Sequence, residues 1–380
     1  MRAIPARYGP ELVAALSAAL DGTGPAVLPL PDGVEGERLR AALRPDEPVE
    51  DLANGRVALV VPTSGSTGDP KGVLLSAAAL AASADATERR LGGPGRWLLA
   101  LPVTHVAGLQ VVLRALRAGS APVPAGSDAA DFAAATAALG PGRRFTSLVP
   151  TQLRRLLDAG PATLDALRSY TAVLLGGAAA PAGLVATARA AGVPVVVTYG
   201  MSETCGGCVY DGVPLDGVSV DLVGGDRITI GGPVLAAGYR LRPELSRRVF
   251  AGGRFVTGDA GRLAGGRLAG GRLTVLGRAD DVLVTGGEKV APAAVADALA
   301  EHPAVAEAAV VGVADPDWGQ RVVAVVVLRA GAGLTLAEAR RQVAGRVSRA
   351  AAPRELRVVD ALPLLASGKL DRRALLREPR

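Results

Sequence analysis

Lysine is almost missing from this 380-residue chain: of 42 basic residues only Lys71, Lys289 and Lys369 are lysine, leaving 39 arginines. A bias that replaces lysine nearly everywhere leaves it where arginine's planar fork cannot do the work of a compact ammonium. All three survivors stand beside glycine-rich or turn-like sequence. Cysteine is equally sparse. Cys205 and Cys208 form one C-x-x-C pair, a spacing that suits redox chemistry or half of a zinc site. A structural zinc needs two further ligands, and the two histidines, His105 and His302, lie far off without ligand spacing, so the pair reads as two ordinary thiols. Aromatics are 3% of the residues and the arginines are scattered. The net charge of +6 and the pI near 9.8 therefore come without a stacking platform or basic stripe, which excludes a nucleic-acid partner. No apolar run approaches the roughly 20 residues that span a bilayer. The opening, MRAIPARYGPELVAALSAALDG, reads as a short lead and an amphipathic helix, without a signal peptide's cleavage site. A soluble, cytoplasmic protein with no membrane insertion is expected.

What is present is a large apolar fraction, 49%, on a chain long enough for two or more domains. Short Val- and Leu-rich runs at 57–60, 97–101, 171–175 and 193–197 alternate with Ala-rich helical stretches, and each run is followed by glycine or a turn residue. Strand, loop and helix in that order predict an α/β domain with ligands in loops at the carboxyl ends of the strands. Beyond residue 213 the pieces become shorter and more β-like. GRLAG, GRLAG and GRLT at 261–274 repeat too closely for a solenoid and predict an enlarged hairpin. From Asp281 a strand, a helix at 292–301, strands at 305–312 and 321–328, and a helix at 335–348 predict a separate α+β unit of about 100 residues.

The segment TSGSTGDPKG at 63–72 carries the strongest chemical signal. Thr63, Ser64, Gly65, Ser66, Thr67 and Gly68 supply N–H and O–H groups able to wrap a polyphosphate, and Lys71 supplies positive charge. It is not a Walker A loop, because Gly72 follows the lysine where Ser or Thr would be required. That weakens a kinase or NTPase reading.

This segment resembles the signature phosphate loop of the acyl-adenylate-forming superfamily, which includes acyl-CoA synthetases, peptide-synthetase adenylation domains and luciferases. The resemblance continues in the family's order over more than 300 residues. PVTHVAGL (102–109) resembles the His-containing motif at the acyl pocket and points to His105. LLGGAAAP (174–181) is similar to the loop against adenine and points to Gly177, Ala178 and Ala179. YGMSET (199–204) matches the motif of Tyr199, Gly200, Met201 and Ser202 beside adenine, with Glu203 on Mg²⁺. TGDAG (257–261) implies Asp259 as acceptor of the ribose hydroxyls. GRADDVLVTGGEKVAP (277–292) resembles the hinge motif: Arg278 near ribose or phosphate, Asp280 at the pivot, Gly286, Gly287 and Lys289 near a thiol arm. SGKLDRRAL (367–375) contains the late catalytic lysine, Lys369.

The resemblance implies a large N-terminal domain of α/β sheets with a β-rich subdomain (1–278), and a small mobile C-terminal α+β domain (281–380). It also implies ATP and Mg²⁺, with coenzyme A as acceptor substrate. The residue types suit the chemistry without the family name: a carboxylate attacking the α-phosphate of ATP brings two anions together, so cations must be aimed at the developing charge. Other readings stay open, with Asp259 as a turn cap, Glu203 as a solvated acid, His105 as a core histidine and Lys289 as a surface lysine. A non-catalytic binding protein on the same fold is disfavoured by the presence of Lys369. The chain ends eleven residues after Lys369, which favours a free-standing ligase over an assembly-line module. The brevity before the phosphate loop and the stretch YGMSETCGGCVYDGVPLDGV resemble the o-succinylbenzoate-CoA ligases of menaquinone biosynthesis in high-GC actinobacteria. Other aromatic or short-chain acids, or loading of a carrier protein, are the alternatives. Thr204 and Cys205 are then expected at the acid. Arg114 is expected to neutralise the acid's second carboxylate, with a surface role as its alternative. Monomer and homodimer both remain open.

Overall fold

The computed structural model describes residues 1–49, 55–64, 70–126, 128–224, 226–264, 271–363 and 370–376. Its centre is a seven-stranded sheet in the order Val213–Pro214, Gly206–Tyr210, Val195–Met201, Ala172–Leu175, Arg144–Leu148, Arg96–Leu99, Val123–Pro124. The five strands from Val195–Met201 onward run parallel. Ala172–Leu175 is buried at every position, as expected of a strand covered on both faces. Its side chains alternate between two cores. Ala172 and Leu174 join Trp97, Leu99 and Phe145 in one apolar cluster, while Val173 and Leu175 join Leu98, Leu148 and Val195 in the other. The helix Val106–Arg117 supplies most of its length to the first cluster. The helices Pro150–Asp158 and Ala182–Ala190 cover the second.

A second sheet places Arg2–Pro5, Val27–Leu30 and Val57–Ser64 in parallel, then adds Pro70–Ser76 and Gly238–Tyr239 antiparallel. The strands on either side of residues 65–69 pair antiparallel, with Thr63 opposite Lys71 and Ser64 opposite Pro70. After Pro70–Ser76 the chain turns directly into the helix Ala77–Arg90, because the Ser76 hydroxyl accepts the Ala79 N–H at 3.1 Å.

A third sheet is antiparallel throughout: Ser219–Val223, Arg227–Gly231, Arg254–Ala264 and Phe250–Ala251, with Arg272–Arg278 paired to Arg254–Ala264. The described ends of the GRLAG repeat pair as expected of a hairpin, up to Ala264 opposite Arg272. Leu283–Thr285, Glu288–Val290, Val305–Asp315, Gly319–Leu328 and Glu355–Val358 form a fourth sheet, against which the helices Pro292–Ala300 and Leu336–Arg346 pack. Thr335 and Glu338 cap the latter reciprocally, at 3.3 and 2.8 Å. Among the described residues, the buried clusters built from Leu283 onward share no member with those built before the turn Ala279–Asp281. The class is α/β with a β-rich addition and a small α+β unit. No described helix is long and apolar enough to cross a membrane.

Candidate active site

Two of the expected site carboxylates, Asp259 and Glu203, are each held by a tyrosine. Asp259 lies on the strand Arg254–Ala264, cross-strand from Arg278. The Tyr199 hydroxyl donates to Asp259 Oδ2 at 2.9 Å, and Arg278 Nη1 donates to Oδ1 at 3.4 Å. Asp259 N–H in turn donates to Thr257 Oγ1 at 3.0 Å. Its side chain is 16% exposed, so one edge still faces outward while both oxygens are aimed. Tyr199 comes from the carboxyl end of the parallel strand Val195–Met201, where ligands of such sheets sit.

Glu203 follows on a 3₁₀ turn, Ser202–Thr204. The Tyr239 hydroxyl donates to its Oε1 at 2.8 Å. Burial, and then the adjacent carboxylate, push both tyrosine phenols well above their ordinary values, so they act as protonated donors. Lys71 joins the same group from the hairpin, its Nζ 5.4 Å from the centre of the Tyr239 ring. Gly177, Ala178 and Ala179 are exposed beyond the carboxyl end of Ala172–Leu175, the neighbouring strand. Gly177 takes φ +78° there, a conformation that favours glycine. Gly200 must be glycine, because a Cβ would stand 2.1 Å from the Gly206 carbonyl oxygen across the antiparallel pair.

His105 is exposed at the start of the helix Val106–Arg117, so it is not a core histidine. Gly65, Ser66, Thr67, Gly68 and Lys369, with the Ser64 side chain, lie outside the described residues. Thr63 is half-buried, its hydroxyl donating to the Lys71 carbonyl at 3.4 Å.

Several expected contacts have other roles in the structure. Thr204 is fully buried and builds the turn beneath Glu203: its hydroxyl accepts the Met201 N–H at 3.0 Å and donates to the Gly206 carbonyl at 2.7 Å. Ser202 is buried in the same turn, and its carbonyl accepts the Cys205 N–H at 3.1 Å. Cys205 sits inside the apolar core at φ +52°, its carbonyl accepting from Ser83 and Gln110 at 3.1 and 2.8 Å. Both cysteines are free and buried, and burial pushes the Cys208 thiol up to about 12 and Cys205 upward as well. That suits packing rather than nucleophilic chemistry.

Arg114 is not brought to the cluster. Nine residues along its helix from His105, about 13 Å at 1.5 Å per residue, it is 7% exposed and lies over the Trp97 ring, donating to Thr87 Oγ1 at 3.1 Å. Trp97 marks the amino end of its strand, opposite the end where Tyr199 and Glu203 converge. Nor is Arg114 a surface arginine.

Gly286 and Gly287, at φ +57° and +80°, form the two-residue turn of the hairpin Leu283–Thr285 and Glu288–Val290. A Cβ on Gly286 would meet the Trp318 ring at 2.9 Å. Lys289 pairs with Asp226 at 2.9 Å and Arg227 with Asp280 at 3.7 Å, so one turn of the third sheet is tied both to Asp280 and to the hairpin beyond it. Tyr239 and Arg240 carry no motif that marks them in the sequence. Arg240 is buried and donates to the carbonyls of Leu43, Arg44, Glu47 and Pro48.

Comparison with known proteins places this geometry in a wider set. The family model described as AMP-binding enzyme matches residues 10–253, and that of the AMP-binding enzyme C-terminal domain matches residues 294–369. A probable 2-succinylbenzoate–CoA ligase of Mycobacterium tuberculosis is 50% identical over 371 residues, covering 96% of this chain and 94% of that protein. An o-succinylbenzoate CoA synthetase (MenE) of Bacillus subtilis, solved with the acyl-adenylate intermediate OSB-AMP, is 27% identical with a TM-score of 0.73, covering 97% of this chain and 81% of that one. The same enzyme solved with ATP and magnesium ion is 28% identical with a TM-score of 0.71, covering 96% and 82%. With both models matched in order on the two sides of the Ala279–Asp281 turn, the chain belongs to the AMP-binding enzyme family.

Proposed function

We propose that this chain joins 2-succinylbenzoate to coenzyme A at the expense of ATP, through an acyl-adenylate. The observation that carries the reading is the end-to-end likeness to the mycobacterial ligase, half of the residues being identical over 96% of the chain. In the first half-reaction a carboxylate oxygen of the acid attacks the α-phosphorus of ATP and pyrophosphate leaves. In the second the thiol attacks the acyl carbon, AMP leaves and the thioester remains.

The residues support this division of labour. Asp259 accepts the ribose hydroxyls, its two oxygens aimed by Tyr199 and Arg278. The phosphate-loop hairpin wraps the polyphosphate, with Lys71 as its cation. Glu203 is half-exposed at the end of a parallel strand, and among the described residues no group of three or more His, Cys, Asp or Glu is gathered. A lone carboxylate fits Mg²⁺, which is held by one or two carboxylates together with substrate phosphates and water. Bound there, Mg²⁺ would neutralise polyphosphate charge. His105 borders the acid from the start of its helix. Residues 281–380 move as a unit about Asp280, which carries Lys369 to the reacting anions in one pose and Gly286, Gly287 and Lys289 to the thiol arm in another.

A pyrophosphate-release screen with coenzyme A tests the reading. 2-Succinylbenzoate should turn over at least tenfold faster than a medium-chain fatty acid, a benzoate or an amino acid. A preferred fatty or amino acid would sink the substrate assignment, and thioester formation on a carrier protein but not on coenzyme A would sink the acceptor.

A further inference from the structure

We propose that Tyr239 is a positioning residue of the adenylation step: its hydroxyl fixes Glu203 and its ring carries Lys71, so that the carboxylate and the phosphate-loop cation are preset as one unit. The inference rests on the reading of Glu203 and Lys71 given above. It goes beyond that reading because no motif in the sequence points to Tyr239.

The argument starts with the backbone. Residues 236–240 form a strap bonded on two sides. Toward one side, Ala236 N–H donates to the Glu203 carbonyl at 2.8 Å, while the Tyr239 hydroxyl reaches Glu203 Oε1 at 2.8 Å. The same glutamate is thus gripped at its main chain and at its tip. Toward the other side, Ala237 N–H donates to the Leu74 carbonyl at 2.9 Å and Arg240 N–H to the Gly72 carbonyl at 2.8 Å. Tyr239 pairs with Val73, two residues from Lys71 on the hairpin that carries the phosphate loop.

The strap is itself pinned. Ser246 Oγ accepts the Tyr239 N–H at 2.8 Å, the Tyr239 ring lies 5.7 Å from that of Phe250, and Arg240 is anchored on four carbonyls. A rigid support on one side of Tyr239 therefore faces the working groups on the other. The phenol donates to one carboxylate oxygen only, which leaves the second to face a cation. A long carboxylate side chain otherwise loses its rotamer freedom only on binding. The ring face offers a weak attraction that holds the Lys71 ammonium near without discharging it as a carboxylate partner would.

Tyr239→Phe is the direct test, since it keeps the ring beneath Lys71 and the contact with Phe250 while removing the donor to Glu203. We expect the Mg²⁺ concentration for half-maximal pyrophosphate release to rise about tenfold, the scale of the rotamer freedom returned to Glu203. Binding of Mn²⁺ with a non-hydrolysable ATP analogue, followed by the manganese resonance, should weaken in parallel. Binding of the analogue without metal should be unchanged, and thioester formation from a pre-formed adenylate should proceed at the wild-type rate. Tyr170→Phe is the control, because it removes an equally buried hydroxyl, bonded to Thr136 at 2.7 Å, far from the site. It should lower the melting temperature without moving the metal titration.

Superimposable Mg²⁺ and Mn²⁺ titrations for Tyr239→Phe and wild type would overturn the proposal, as would equal losses in both half-reactions. If the wild-type protein released no pyrophosphate with any acid, the function proposed above would fail. The Mn²⁺ comparison would still decide the role of Tyr239.

Discussion

Replacing Asp259 by asparagine changes one oxygen to an N–H₂ group and removes a charge, with almost no change of shape. In the folded protein Oδ1 faces the Arg278 guanidinium and Oδ2 faces the Tyr199 hydroxyl. Arg278 is donor only, so the new amide must turn its oxygen there and its N–H₂ toward Tyr199, whose hydroxyl can accept instead. The fold survives this exchange, but one acceptor for the ribose hydroxyls becomes a donor. A hydrogen bond to a charged group contributes about 1.5–3 kcal/mol, so ATP binding should weaken roughly 10- to 150-fold. The outward-facing edge of Asp259 favours the lower end of that range. Calorimetry of ATP against 2′,3′-dideoxy-ATP isolates the effect. Wild type should prefer ATP strongly, and Asp259→Asn should bind the two nucleotides with nearly equal affinity. An unchanged ratio in the variant would show that Asp259 does not hold the ribose, whatever the loss in overall affinity.

Lys369→Ala should cut adenylate formation at least a hundredfold, the scale for losing a transition-state charge partner, while a pre-formed adenylate still reacts with coenzyme A at close to the wild-type rate. Equal loss in both half-reactions would argue against domain alternation. Arg114→Met should lower the melting temperature by several degrees, because it removes the buried guanidinium from Thr87 and from the Trp97 face, yet shift KM equally for a diacid and its monoacid analogue. A KM rise confined to the diacid would return Arg114 to the acid pocket. Burial, then repulsion from Glu301, lift the Asp297 carboxyl from its ordinary 3.8 to about 6, with Arg154 opposing. Between those values the folded state binds more protons than the unfolded one, so stability should fall as pH rises from about 4 to 6. Asp297→Asn should flatten that slope and be more stable near neutral pH by about 1–2 kcal/mol after screening. A melting-temperature profile parallel to wild type across this window would refute the assignment.

The parts legible in the sequence are those written in local pattern. The run at 171–175 and the hairpin across the GRLAG repeat appear where expected, because apolar strands and turn residues declare themselves within a few positions. Asp259 and Glu203 are named by their motifs, and the structure puts Asp259 within the strand Arg254–Ala264 and Glu203 just past the end of Val195–Met201. What the sequence hides is contact at a distance. Arg2–Pro5 reads as a lead to the first helix, but it pairs in parallel with Val27–Leu30, a partner that no short-range signal names. Tyr239 reaches Glu203 across 36 positions. Arg114 looked like a pocket cation because its charge interrupts an apolar run. That run is a helix passing from one end of the sheet to the other, so the charge emerges at Trp97 instead. The turn at Gly286 and Gly287 needs glycine for its backbone angles, whatever passes near it.

Attack by the acid's oxygen on the α-phosphorus is the central claim, and isotope transfer tests it directly. With 2-succinylbenzoate labelled with oxygen-18 in both carboxyl groups, the oxygen that bonds to phosphorus stays with AMP when the thiol later displaces it. One labelled oxygen should therefore appear in AMP for each thioester formed, with none in the pyrophosphate. Label in inorganic phosphate together with ADP would place the attack at the γ-phosphorus and contradict the account.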